Sequence, residues 1–287
     1  MAADEGHDLA VFIDFENIAV GLRYRKDKTF DIQKVQERLL EKGKIIVKRA
    51  YAGWSRFSSY TQPFHEAAIE LIEIPGRATT GKNSADMRLC VDAMDLCYSK
   101  EHIDTFVIVS GDSDFSPLVS KLRENGKRVI GLGLRDSTSN LLVSNCDEFI
   151  FYESLMQPSH GVAREATEGT SKDRTEVLTL VTTTIEALVR EGRDPIQASL
   201  VKDTIKRKQP SFDEGDYGFR AFTDVLDEAQ AQGLVLLRED PRSGTYLVSL
   251  AKPKPKPVAR PRSRGGRGRR RPTAPKALTP PPAEPQV

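Results

Sequence analysis

TFVIVSGDSDF, residues 105–115, decides the fold: a run of strand-forming residues ends at Ser110-Gly111 and is followed by two aspartates. The run does not alternate with polar residues, as expected of a strand covered on both faces. Working outward, the same texture recurs in LAVFID (9–14), IIVKRAYA (45–52), LIEIP (71–75), RVIGLGL (128–134) and EFIFY (148–152). Helices are expected between these runs over 31–42, about 56–70, 84–99, 114–125 and 138–145. In 84–99, Met87, Cys90, Val91, Met94 and Cys97 recur at helical spacing and make one apolar stripe, with Cys90 and Cys97 suited to a buried face. Regular alternation of strand and helix predicts a Rossmann-like α/β domain with a mainly parallel sheet flanked by helices. Sites in such sheets form beyond the carboxyl ends of the strands.

The chain has 287 residues, 38% hydrophobic and 29% charged, enough for one or two buried cores. Its net charge of +2 conceals a division. Residues 251–287 hold eleven of the 43 basic residues, one acid and ten of the seventeen prolines, so this arm carries +10 and the first 250 residues −8. The arm, with KPKPKP and RSRGGRGRRRP, is expected to be disordered. No apolar run approaches the roughly 20 residues that span a bilayer. The opening MAADEGHD is acidic and does not read as a secretory signal. Cys90, Cys97 and Cys146 have neither disulfide-framework nor zinc-site spacing, so a reducing cytoplasm is the expected compartment.

Residues 156–172 read as a linker after a first domain at 1–155, and a smaller domain is expected over 173–250. Helices are expected at about 174–191, 196–208 and 218–232, followed by two strands in LVLLRED-PRSG-TYLVSL. Three helices and a terminal hairpin predict a winged helix-turn-helix.

Acids gather where the α/β topology places sites. Asp14 ends the first strand in FIDFEN, with Glu16 and Asn17 after it; Asp112 and Asp114 follow the fourth strand; Asp86 lies in the first turn of the helix beginning near Asn83. Carboxylates about 4 Å apart repel by on the order of 4 kcal/mol at an effective dielectric near 20. A cation or protonation of one acid relieves this repulsion. Hard oxygen donors select Mg²⁺ or Mn²⁺ over zinc. Such an ion would neutralise phosphate oxygens and help deprotonate an attacking water. Taken singly, each acid also suits a cap or turn, and Ser110 suits a turn hydrogen bond.

FIDFENI, GKNSADMRLCVDAMD, VIVSGDSDFSPLVSKLRENGKRVIGLG and LRDSTSNLLVSNCDEFIFY together resemble the NYN domain of the PIN-like nuclease superfamily, close to its LabA-like branch. The resemblance covers nearly all of residues 9–152. It implies Mg²⁺- or Mn²⁺-dependent hydrolysis of RNA phosphodiester bonds, with metal-binding acids at Asp14, Asp86 and Asp112. Asp114 matches a further acid of the catalytic motif, and Asn17 the asparagine after the first acid. Glu16 and Ser110 are candidate supports. A catalytically silent RNA-binding adaptor is the alternative from another class. GDSD also resembles the haloacid-dehalogenase phosphatases, but their DxDxT loop is here DFENI, with Glu16 and Ile18 at the second and third key positions.

SLVKDTIKRKQPSFDEGDYGFRAFTDVLDEAQAQGLVLL resembles the OST-HTH, or LOTUS, domain, which implies binding of RNA with a leaning towards G-rich sequences. Candidate phosphate contacts are Lys82 and Arg135 near the acids, and Lys202 and Lys206 on one helix face, which also suit a solvated surface. Trp54 and Arg56 form a candidate platform for a single-stranded base, whereas neighbouring Phe57 and Tyr60 suit helix packing. In the arm, Arg264, Arg267 and Arg269 lie in an RGG-like segment that would pair with phosphates and stack on bases.

Overall fold

The computed structural model describes residues 6–23, 29–74, 84–156, 173–239 and 244–251. The candidate linker (156–172, apart from Met156) and the basic arm beyond Ala251 lie outside the described residues, as do Lys82, Arg264, Arg267 and Arg269.

Six strands build the first sheet: β1 (His7–Asp14), β2 (Gly43–Ala52), β3 (Glu70–Glu73), β4 (Thr105–Val109), β5 (Arg128–Gly133) and β6 (Glu148–Phe151). Their order is β3-β2-β1-β4-β5-β6, and all five pairings are parallel. The chain winds outward in both directions from β1 and β4, which leaves a crevice beyond their carboxyl ends.

Both faces of this sheet are covered. On β1, Leu9, Val11 and Ile13 enter one buried cluster, while Ala10 and Phe12 enter the other. Val107 and Val109 of β4 likewise oppose Phe106 and Ile108. Each β4 side chain from Phe106 to Val109 therefore meets an apolar layer, the physical reason this stretch is an unbroken apolar run. Helices α1 (Phe15–Leu22), α2 (Ile32–Leu40) and α3 (Ser58–Glu66) supply the first layer. Helices α4 (Ser84–Ser99), α5 (Ser116–Glu124) and α6 (Asn140–Asn145) supply the second. The short α7 (Tyr152–Leu155) follows β6.

Three local readings are corrected. Helix α1 was not expected; Asp14 caps it by accepting the Asn17 N–H at 3.3 Å, so the first strand passes straight into a helix. The helix expected over 56–70 is shorter, because a turn at Ala67 and Ala68 ends α3 and Ala68 takes a left-handed φ of 52°. Helix α4 spans the expected residues but presents Ala85, Leu89, Ala93, Leu96 and Cys97 inward, leaving Met87 and Val91 outside at 68% and 62% exposure. Alanines at positions 85 and 93 let the helix lie closer to the sheet than the bulkier stripe would.

The remaining described residues form α8 (Arg174–Arg190), β7 (Ile196–Gln197), α9 (Ala198–Lys208), α10 (Phe222–Ala231), β8 (Val235–Glu239) and β9 (Tyr246–Leu250). The strands make an antiparallel sheet in the order β7-β9-β8 over a core that includes Val181, Ile185, Phe212, Tyr217, Phe222 and Leu226. Helix α10 starts four residues later than its pattern suggested. Gly218, at φ 79°, closes a preceding 3-10 turn, and Asp224 then accepts the Arg220 and Ala221 N–H groups at 3.1 and 3.2 Å. Among the described residues, no helix is long and apolar enough to cross a membrane.

Candidate active site

Parallel pairing of β1 with β4 brings Asp14 beside the residues that follow Val109. Ser110 donates its Oγ–H to Asp14 Oδ2 at 3.0 Å, while the Asn17 N–H occupies Oδ1. The Asp112 N–H donates to Ser110 Oγ at 3.2 Å. Asn17 Oδ1 accepts the Gly111 N–H at 2.9 Å, and Gly111 O accepts the Ser139 N–H at 2.9 Å. A Cβ at Gly111 would lie 2.6 Å from Ser137 O and 3.0 Å from Thr138 Cα, so the loop leaves no room for a side chain there. Asp112 accepts the Asp114 N–H at 3.0 Å and thereby caps the turn leading into α5.

The acids differ in burial. Asp14 is 4% exposed; Asp86 and Asp112 are half-buried, and Asp114 is exposed. Burial above all, then the Asp86 charge, pushes the Asp14 carboxyl up to about 7, against the bonds from Asn17 and Ser110 that pull it down. Burial also leads for Asp86, joined by the charges of Asp112, Asp114 and Glu16, and raises it to about 6. Asp86 is thus the common neighbour that links Asp14 to the acids after β4. Among the described residues, no three His, Cys, Asp or Glu side chains are gathered closely enough to form a ready metal centre.

Glu16 turns towards the far side of the crevice, where it accepts the Gly53 N–H at 2.9 Å and pairs with Arg56. This engagement, with Ile18 buried, leaves the phosphatase loop pattern without its second acid and hydroxyl. Trp54 is packed rather than open: it is 6% exposed, its ring stacks on Phe15 at 5.5 Å, and its Nε1–H donates to Ile72 O at 3.1 Å. Phe57 and Tyr60 pack on the same cluster. Trp54 therefore presents no free face to a base.

The candidate cations are also engaged. Arg135 reaches Asp216 at 3.2 and 3.1 Å and lies 4.2 Å from the centre of the Phe151 ring. Lys202 pairs with Glu214 at 2.6 Å and Lys206 with Glu148 at 3.1 Å. Glu148, 3% exposed, also holds Lys42 at 2.7 Å and Arg128 at 2.8 Å. Burial pushes this carboxyl up, but the Lys206 and Lys42 ammonium groups outweigh it and hold it down at about 2. Burial lowers Lys42 in spite of its partner. With Phe149 N–H donating to Pro210 O at 2.9 Å, these contacts join β6 to the segment around α9, and about 190 Å³ of polar cavity remains between them. The sequence reading missed Glu148, whose apolar run EFIFY gave no hint of a buried charge.

The sequence profile of the NYN domain matches residues 8–154. An uncharacterized protein of Methanocaldococcus jannaschii is 30% identical over 145 residues, which cover 50% of this chain and 55% of that protein. The chain thus spans about half the length of that curated relative. A solved structure of a protein of unknown function from Vibrio parahaemolyticus covers 53% of this chain and 96% of its own, with 22% identity and a TM-score of 0.47.

Proposed function

Since the chain belongs to the NYN domain family through residues 8–154, we propose that its acidic crevice hydrolyses RNA phosphodiester bonds. The supporting observation is the charge coupling of Asp86, in the first turn of α4, with Asp14 at the end of β1 and Asp112 after β4: burial and repulsion raise Asp14 and Asp86 well above the usual carboxylate range. The donor chemistry fits a hard divalent cation, because oxygen-only carboxylate donors suit such an ion and its charge would offset the repulsion that Asp86 feels from its acidic neighbours. Asp14, Asp86 and Asp112 would hold Mg²⁺ or Mn²⁺, with Asp114 adding charge at the exposed rim. When bound, the ion would neutralise phosphate oxygens and acidify the attacking water.

Ser110 fixes Asp14 Oδ2 and, through its own lone pair, the backbone of Asp112, so one hydroxyl orients two acids. Asn17 ties the start of α1 to Gly111. Preorganisation of this kind keeps the acids from having to rearrange as substrate arrives.

Residues 1–155 form the nuclease domain in this reading, 156–172 a linker, 173–250 a winged-helix RNA-binding domain of LOTUS type, and 251–287 a basic arm for substrate capture. Single-stranded or G-rich RNA is the proposed substrate, with Lys82, Arg264, Arg267 and Arg269 as candidate contacts. Arg56, Lys202, Lys206 and Arg135 would reach RNA only on leaving their carboxylate partners. The cytoplasm, where the three free thiols would stay reduced, is the proposed compartment.

A silent RNA-binding adaptor is the second reading, favoured by the lack of three closely gathered acids among the described residues. Labelled single-stranded RNA with Mn²⁺ separates the two. Cleavage that falls at least about 100-fold in Asp112→Asn while RNA binding persists supports the nuclease; binding without cleavage by the unaltered protein supports the adaptor.

A further inference from the structure

Helix α4 is apolar on two sides. Its inner side is consumed by the sheet, yet Met87, Val91 and Tyr98 stand on the outer side at 68%, 62% and 63% exposure. Met94, half-buried against the core, lies between Val91 and Tyr98. The four residues follow at steps of four, three and four. This is the spacing of a helix-to-helix seam, in which successive side chains stay in line with a partner helix. Exposed side chains in one continuous row, unlike scattered ones, point to a contact surface.

From this row and its flanking charges we infer that α4 pairs with α4 of a second copy of the same chain, antiparallel about a two-fold axis. With the axis passing midway between Val91 and Met94, Val91 meets the partner's Met94, and Met87 meets the partner's Tyr98. The second contact sets a thioether against an aromatic ring, a favourable pairing. One flank of the row carries Arg88 and, two turns later, Asp95, both exposed. In antiparallel pairing this flank faces itself, so Arg88 of each copy falls opposite the partner's Asp95, and the two ion pairs form symmetrically. Parallel pairing would set this flank against the side of Cys90 and Cys97, without charge complementarity. Within its own chain Arg88 uses Nε to reach Asp92 at 3.0 and 3.1 Å, and a guanidinium has further donors for a second carboxylate. The surface is self-complementary, as a two-fold contact requires.

Met87 directly follows Asp86, so the partner's Tyr98 would border the acidic crevice. The pairing does not rest on the nuclease reading and stands or falls separately from it. A 16-residue helix is about 24 Å long. A single seam of that length is smaller than a standard interface, so the dimer is expected to dissociate on the order of 10 µM.

Sedimentation of the full chain, freed of nucleic acid, over about 1 to 200 µM tests this. The mass should rise from monomer to dimer with concentration. Val91→Glu alters only an exposed side chain and should weaken the dimer at least about tenfold, with an unchanged circular dichroism spectrum. Asp95→Arg should also weaken it, and Arg88→Glu added to Asp95→Arg should restore it. A monomer at every concentration, a dimer indifferent to Val91→Glu, or a double charge exchange that fails to restore pairing would overturn the proposal.

Discussion

Ser110 and Asp14, 96 residues apart, meet at the carboxyl ends of the central strands β1 and β4, the hydroxyl donating to the carboxylate at 3.0 Å. Both are buried, and Ser110 also receives the Asp112 N–H. Ser110→Ala leaves the carboxylate and the N–H without this partner, at an expected cost of about 1–3 kcal/mol. Urea unfolding should show a lower midpoint with an unchanged slope. Any RNA cleavage should fall under conditions where the variant is still fully folded.

The acidic pairs make a metal-linked prediction. A carboxyl raised to about 6 from an ordinary 3.8, as at Asp86, penalises the folded state when ionised. That penalty is full above about pH 6 and fades as pH falls towards 3.8. Asp86→Asn should therefore raise the metal-free melting temperature at neutral pH. Mn²⁺ at 100 times its dissociation constant should stabilise the unaltered protein by about 2.7 kcal/mol. Differential scanning fluorimetry should show this upward shift shrinking in Asp86→Asn; equal shifts in both proteins would remove Asp86 from the metal site.

Glu148 has the opposite sign. Its carboxyl sits at about 2 against an ordinary 4.5, so its contribution is present in full above about pH 4.5 and is lost as pH falls towards 2. The shift sets an upper bound of about 3 kcal/mol. Urea midpoints measured down this pH range should fall for the unaltered protein and fall less for Glu148→Gln. Identical pH profiles would mean that the Lys42 and Lys206 pairs do not act on stability.

Trp54, the sole tryptophan, reports on its own packing. Stacked on Phe15 and bonded to Ile72 O, it should emit at blue-shifted wavelengths and resist acrylamide quenching. RNA should leave its emission unchanged. Trp54→Ala should cost about 3–5 kcal/mol, measured by urea unfolding. Strong quenching by RNA would return Trp54 to the role of a base platform.

Periodicity along the chain was enough to establish the six-stranded α/β domain, because burial on both faces of a strand is written into its own residues. Strand-end positions likewise made Asp14 and Asp112 legible as site candidates, since the backbone at a strand end directs them there. Asp86 was legible through its place in the first turn of a helix. What lay beyond reach was the identity of partners. Strand order decided that Asp14 meets Ser110, and helix packing decided that Met87 and Val91 face outward, since two apolar stripes on one helix compete and only the sheet chooses. Lys206 meets Glu148 across 58 residues and Arg135 meets Asp216 across 81. A lysine bound to a buried carboxylate and a lysine in solvent have the same local sequence signature. Local pattern encodes how deeply a segment is buried; only the tertiary structure decides which distant charge waits there.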